Sequence, residues 1–199
     1  MNNLLESINE IKEAIKSDSE ELKKYGIIVI KGGTLADLKQ KFPWILKATI
    51  KNARLEISGK DLIWNSGLWK DGIWVDGIWS DGYWDNGTWK NGTWEKGTWS
   101  GGIWENGIWM SGNWERGQWN NGTWHDGTWS QGTWKKGKWM GGIWEDGSWF
   151  NGTWLSGLWK MGWWYNGSWK SGTWWDGVWE KGKWVIGRID GKTSKKPPE

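Results

Sequence analysis

The sequence predicts an all-β repeat protein, a β-solenoid whose interior is filled with tryptophan. Two observations predict it. Trp stands at every fifth position from Trp64 to Trp184, 25 times without a miss. Gly stands two residues before it at all 24 positions from Gly67 to Gly182. Self-similarity at a fixed period is the mark of a repeat architecture.

The unit is Gly-x-Trp-x-x, as in Gly87-Thr88-Trp89-Lys90-Asn91. In a strand, residues two apart point to the same face. Gly and Trp of one unit therefore share a face, and the residue between them faces the other way. That middle residue is often Thr or Ile (Ile73, Ile78, Thr88, Thr93), which suits a half-buried strand. The last two places favour Asn, Asp, Lys, Ser or Gly, mostly turn formers. Each unit thus reads as a very short strand and a corner, with Trp inside and Gly leaving it room. Burial decides against rows of exposed indoles. Each Trp buries roughly 150–250 Å², worth about 4–6 kcal/mol. Exposing all of them would make an aggregating surface.

Units of five must close into coils, and like residues should stack between coils. At spacing 20, Lys96, Arg116 and Lys136 align, as do Asn86, Asn106, Asp126, Asp146 and Asn166. This predicts four-sided coils of 20 residues, about six of them over residues 64–184. A competing architecture is a meander of short antiparallel strands, because Asn91-Gly92 and Asp126-Gly127 are hairpin dipeptides. Its single layer would need a second layer to cover the indoles.

The pattern resembles the pentapeptide-repeat family, in which a small and a bulky residue two apart both face inward. Ala48-Thr49-Ile50-Lys51-Asn52 and Ala53-Arg54-Leu55-Glu56-Ile57 look like two ordinary units of it. They run out of phase with the Trp array, so a slip of one residue is expected near Ser58–Asp61. The resemblance covers residues 48–184 and implies a right-handed quadrilateral β-helix. The all-Trp interior departs from the family.

The ends divide the rest of the chain. Residues 1–25 predict an amphipathic helix: Leu4, Ile8, Ile11, Ile15, Leu22 and Tyr25 share a seam, broken at Asp18. That is a coiled-coil pattern able to make a homo-oligomer, or a helix packed on its own solenoid; both readings stand. Residues 26–47 predict a cap, with Gly26 ending the first helix, a strand at Ile27–Ile30, and Thr34 capping a helix over Leu35–Lys41 stopped by Pro43. Residues 48–187 form the solenoid, and 188–199 a disordered basic tail.

No catalytic constellation stands out, so no enzyme and no cofactor is expected. Without Cys, and with His125 the sole histidine, a metal site is not expected either. No apolar run is long enough to span a membrane. The start, MNNLLESINEIKEAIK, lacks the layout of a secretory signal, which places the protein in the cytoplasm or in a virion. Residues 61–184 carry 11 basic and 13 acidic groups, a mixed surface that disfavours nucleic acid as a partner. Five apolar residues should face solvent on the last coils: Phe150, Leu155, Trp163, Tyr165 and Trp175. Leu155 and Trp175, 20 apart, should stack. Exposed aromatics suggest a protein-binding or self-association surface.

Three functions follow. The first is a non-catalytic structural or assembly protein, a rigid rod of a fibre or virion type. The second is a DNA-mimicking binding module acting on a nucleic-acid enzyme, served by Asp71, Asp76, Asp81 and Asp85. The third is a carbohydrate or ice binder using Thr93, Thr133, Thr153 and Thr173.

Overall fold

The structure, a computed structural model, describes residues 20–198. It is a β-solenoid with a tryptophan core and a short helical segment at its N-terminal end. The cap comes first. A helical turn over residues 20–24 ends at Gly26, which takes a left-handed φ of +71°. Leu22 on that turn is buried against the cap. The coiled-coil expectation for residues 1–25 falls mostly on residues 1–19, outside the described residues.

Strand β1 (Ile27–Lys31) and helix α1 (Leu35–Lys41) follow, as the sequence predicts. Thr34 accepts from the Asp37 backbone N–H, and the Asp37 carboxylate accepts from the Thr34 N–H, a reciprocal capping box. Lys41, 3.0 Å from Asp37, and the Thr34 hydroxyl and N–H hold the Asp37 carboxyl down to about 2. Because the folded value is depressed, this contribution is full at neutral pH and is lost as pH falls from the usual carboxylate range toward 2. Thr34→Ala should cost about 1 kcal/mol, read as a lower urea midpoint. An unchanged midpoint would mean that burial of Leu35 and Leu38 alone holds α1.

The next segment corrects the expected solenoid start. Residues 49–58 are not two coil units. Strand β2 (Thr49–Ser58) runs parallel to β1 and antiparallel to β3 (Asp61–Asp71), which carries the first two Trp units. Ile50 lies opposite Trp69 and Leu55 opposite Trp64. Their spacing of five matches the Trp spacing in either direction, so a reversed strand mates with the array as well as a coil would. The slip near Ser58–Asp61 is a hairpin turn, and β2 closes the N-terminal end of the tube over an otherwise open edge. Trp44 completes the seal, its ring edge-on to Trp74 at 4.9 Å.

Beyond β3 come 23 two-residue strands, Ile73–Trp74 through Lys183–Trp184. Every one within the array pairs in parallel with the strand 15 residues away: Ile78 with Ile63, Thr88 with Ile73, Ile108 with Thr93. The coil is therefore three units and three-sided, not the four-sided 20-residue coil expected. Eight steps of 15 carry Trp64 to Trp184, a stack roughly 38 Å tall at ~4.8 Å per coil. The first face carries Trp64, Trp79, Trp94 and onward, the second Trp69, Trp84, Trp99, and the third Trp74, Trp89, Trp104.

Ring packing explains three sides. Within a coil, successive indoles meet edge to face at 5.5–6.1 Å and 69–84°. Between coils they stack at 4.6–5.0 Å and 4–7°. Three columns at that spacing all touch one another, because the third ring of a coil meets the first ring of the next, as Trp74 meets Trp79. Four would leave diagonal partners apart and a void along the axis, forfeiting dispersion contacts. The repeat indoles from Trp64 through Trp169, every fifth residue, are fully buried, and Trp174 nearly so.

The backbone supports this. In each unit the residues after Gly and after Trp donate N–H to the Gly and Trp carbonyls one coil below, as Thr88 to Gly72 and Lys90 to Trp74, both at 2.9 Å. The repeat glycines hold φ between +102° and +133°, a region L side chains rarely adopt. The preceding Asp or Asn caps the corner by accepting from the Gly N–H, as Asp76 to Gly77 at 2.9 Å and Asn151 to Gly152 at 2.8 Å. The Asn-Gly and Asp-Gly dipeptides of the array are thus corners, and no meander forms. Seventeen core indole N–H groups make no hydrogen bond, a cost that burial of the rings outweighs.

The C-terminal end corrects the disordered tail expected from residue 188. Strands Gly187–Ile189 and Lys192–Ser194 pair as a hairpin across Asp190-Gly191, both with positive φ. Ile189 continues the second face above Trp174, and the Ser194 carbonyl accepts from the Trp184 indole N–H at 3.1 Å.

Candidate interaction surface

The third face builds the surface. Phe150 and Tyr165 each follow a core Trp, one coil apart, so their side chains leave the same strand face one above the other. Their rings stack at 4.7 Å and 14°. Trp163 sits in the strand Trp163–Trp164, between Ser148 below and Val178 above. Strand alternation sends Trp164 inward and Trp163 outward. The Trp163 ring lies 6.1 Å from Tyr165 at 21°, and it is 49% exposed. Phe150, Tyr165 and Trp163 therefore form one cluster.

Two further apolar residues extend it that the sequence reading passed over. Val178 lies directly above Trp163 in the ladder. Met161 stands at the corner before Gly162 and shares a shallow pocket with Trp163 and Val178, with Asp146 and Asp176 on its rim. A search at spacing 15 reveals both: Ser148, Trp163, Val178 in one column and Asp146, Met161, Asp176 in the next.

The other two expected residues lie elsewhere. Leu155 is half-buried, following Trp154 on the first face, whereas Trp175 is 60% exposed, following Trp174 on the second. They do not stack, because the coil repeats at 15; Lys160, not Leu155, sits one coil below Trp175. Trp175 instead borders a groove that runs to Ile189, Lys192 and Pro197 of the C-terminal segment.

The same register redistributes the residues of the alternative functions. Asp71, Asp76 and Asp81 occupy three successive corners, so they ring the first coil and do not line one side. Thr93 and Thr153 lie on the first face, Thr173 on the second and Thr133 on the third. What does form a column is amide: Asn91 donates to Asp76, Asn106 to Asn91 and Asn121 to Asn106, at 3.2–3.3 Å. This ladder edges a shallow open groove with Ile78, Thr93, Ile108 and Thr123.

His125 is partly buried on the first face after Trp124. Among the described residues no group of three or more His, Asp or Glu side chains is arranged to hold a metal ion. No described helix is long and apolar enough to cross a membrane. The chain matches no family, no curated protein and no solved structure among those compared.

Proposed function

We propose that the chain is a non-catalytic rod that assembles with, or spaces, other proteins, and that the aromatic cluster of its last coils is the contact surface. One observation carries this reading: the exposed rings of Phe150 and Trp163 and the half-buried ring of Tyr165 gather on one face with Met161 and Val178, on a tube whose repeat indoles face inward. An exposed cluster of rings rimmed by carboxylates has the makeup of an interface core. The tube supports the rod role, because coils that touch only their neighbours make a stiff, quasi-one-dimensional body. Kinship with pentapeptide-repeat proteins remains part of this proposal, supported by the five-residue unit with two inward residues; the three-sided coil departs from the quadrilateral form. Self-association through residues 1–25 is the second arm of the same reading.

Trp163→Ser combined with Tyr165→Ser tests it. Both side chains lie outside the indole core, so the tube should stay folded, with stability lowered by about 1–3 kcal/mol for the two ring pairs lost. Sedimentation mass, or retention of an isolated partner, should fall. A variant that folds, sediments and binds like the parent removes the cluster from the proposal.

A further inference from the structure

We infer that the indole core is a single excitation-conducting array: near-ultraviolet light absorbed anywhere along the tube migrates through the stack and leaves from two exposed indoles in its last coils. The inference rests on ring geometry, independently of any partner. Of the 28 tryptophans, 25 belong to three columns. Each ring in a column lies 4.6–5.0 Å from the next and within 7° of parallel. The columns are joined at every coil by edge-to-face contacts, so no ring is isolated. Trp44 extends the array into the cap through Trp74. Transition dipoles couple more strongly as separation shrinks, and rings this close exchange excitation far faster than they emit. Neighbouring columns are turned by about the edge-to-face angle, so each hop between them rotates the dipole and erases the memory of polarisation.

Direction comes from solvent. An indole in water relaxes its surroundings around the excited dipole and drops to lower energy, which a ring in a rigid apolar core cannot do. Trp163 and Trp175 are the most exposed indoles of the described residues, at 49% and 60%, while Trp44, Trp179 and Trp184 are only partly open to water. Each is covalently adjacent to a core ring, Trp164 and Trp174. Both belong to the last two coils, and they are the two low-energy ends to which the array drains. No bond is made or broken, and no other chromophore is required.

Fluorescence of the whole protein in a rigid glass tests this. Excited at its absorption maximum, the protein should show anisotropy several-fold below that of a single blocked tryptophan in the same glass. Excited at the extreme red edge, where only already relaxed rings absorb, it should regain most of it. In solution the emission should be red-shifted and open to acrylamide although most rings are buried. Trp163→Phe with Trp175→Phe should turn it blue and shielded. High anisotropy at the absorption maximum, equal to that at the red edge, would overturn migration. Low anisotropy with emission unmoved by the double substitution would overturn the two exits. Should the variant fold poorly, the anisotropy measurement on the parent still decides the first point.

Discussion

Gly117→Ala is expected to destabilise the rod by about 3–5 kcal/mol, whereas Gly101→Ala, sixteen residues away, should be neutral or stabilise it slightly. The two glycines look alike in sequence, but their surroundings differ. Gly117 has φ +129°, and a Cβ there would sit 2.6 Å from the Gly102 carbonyl oxygen of the coil below and 3.2 Å from Cζ2 of Trp114. Neither can retreat: the carbonyl accepts the Gln118 N–H at 2.9 Å, and the ring is held between Trp99 and Trp129 at 4.9 and 4.6 Å. Backbone strain and overpacking therefore add. Gly101 is a corner residue with ordinary φ, whose Cβ would meet the Asp85 carbonyl at 3.5 Å and the Arg116 side chain beyond that, both normal contacts. Losing its freedom in the unfolded chain should yield up to about 1 kcal/mol. Urea unfolding followed by circular dichroism checks both. Equal costs at the two positions would show that the tube does not need glycine where coils touch.

That contrast also marks how much of the fold could be read from residues alone. The five-residue period, the inward pairing of Gly and Trp, and the local signals at Gly26, Thr34 and Pro43 are properties of one unit or one turn, and the structure carries each of them. The number of sides is different. It depends on how indoles from consecutive units meet, which no single unit encodes. Outward residues report it weakly, because most corner positions tolerate any polar side chain: Lys96, Arg116 and Lys136 align at 20 without ever stacking. The informative column was the amide one, Asp76, Asn91, Asn106 and Asn121, where each side chain hydrogen-bonds the next and so has a reason to repeat at 15. Strand direction in residues 49–58 was hidden for another reason. A spacing of five between Ile50 and Leu55 is the same read forward or backward, and only the turn at Gly59-Lys60 betrays the reversal. At the surface, strand alternation sufficed to place Trp163 and Phe150 outside. The coil length was needed to gather Phe150, Tyr165, Trp163, Met161 and Val178 and to separate Leu155 from Trp175.

Trp119→Ala is expected to cost at least about 5 kcal/mol, while Trp184→Ala costs about 1–2. Trp119 is fully buried near the middle of the third face. It stacks on Trp104 and Trp134 at 4.8 Å each and meets Trp114 and Trp124 edge to face. Truncation opens a cavity among rings fixed on all sides, which costs about 3–5 kcal/mol by itself, and removes four ring pairs worth roughly 0.5–1.5 each. Trp184 lies at the end of its column, is only partly buried, and stacks on a single ring, Trp169. A central loss also does what a terminal one cannot. In a body stabilised by nearest-neighbour contacts, it weakens the coupling between the halves on either side. Guanidinium unfolding of Trp119→Ala should accordingly broaden or divide into two steps, and that of Trp184→Ala should keep one sharp transition at a slightly lower midpoint. Trp119→Phe should recover part of the loss, since a smaller ring still stacks. If the central and terminal substitutions cost the same and both melt in one step, the columns do not act as a continuous core, and stability must be sought in the corner hydrogen bonds.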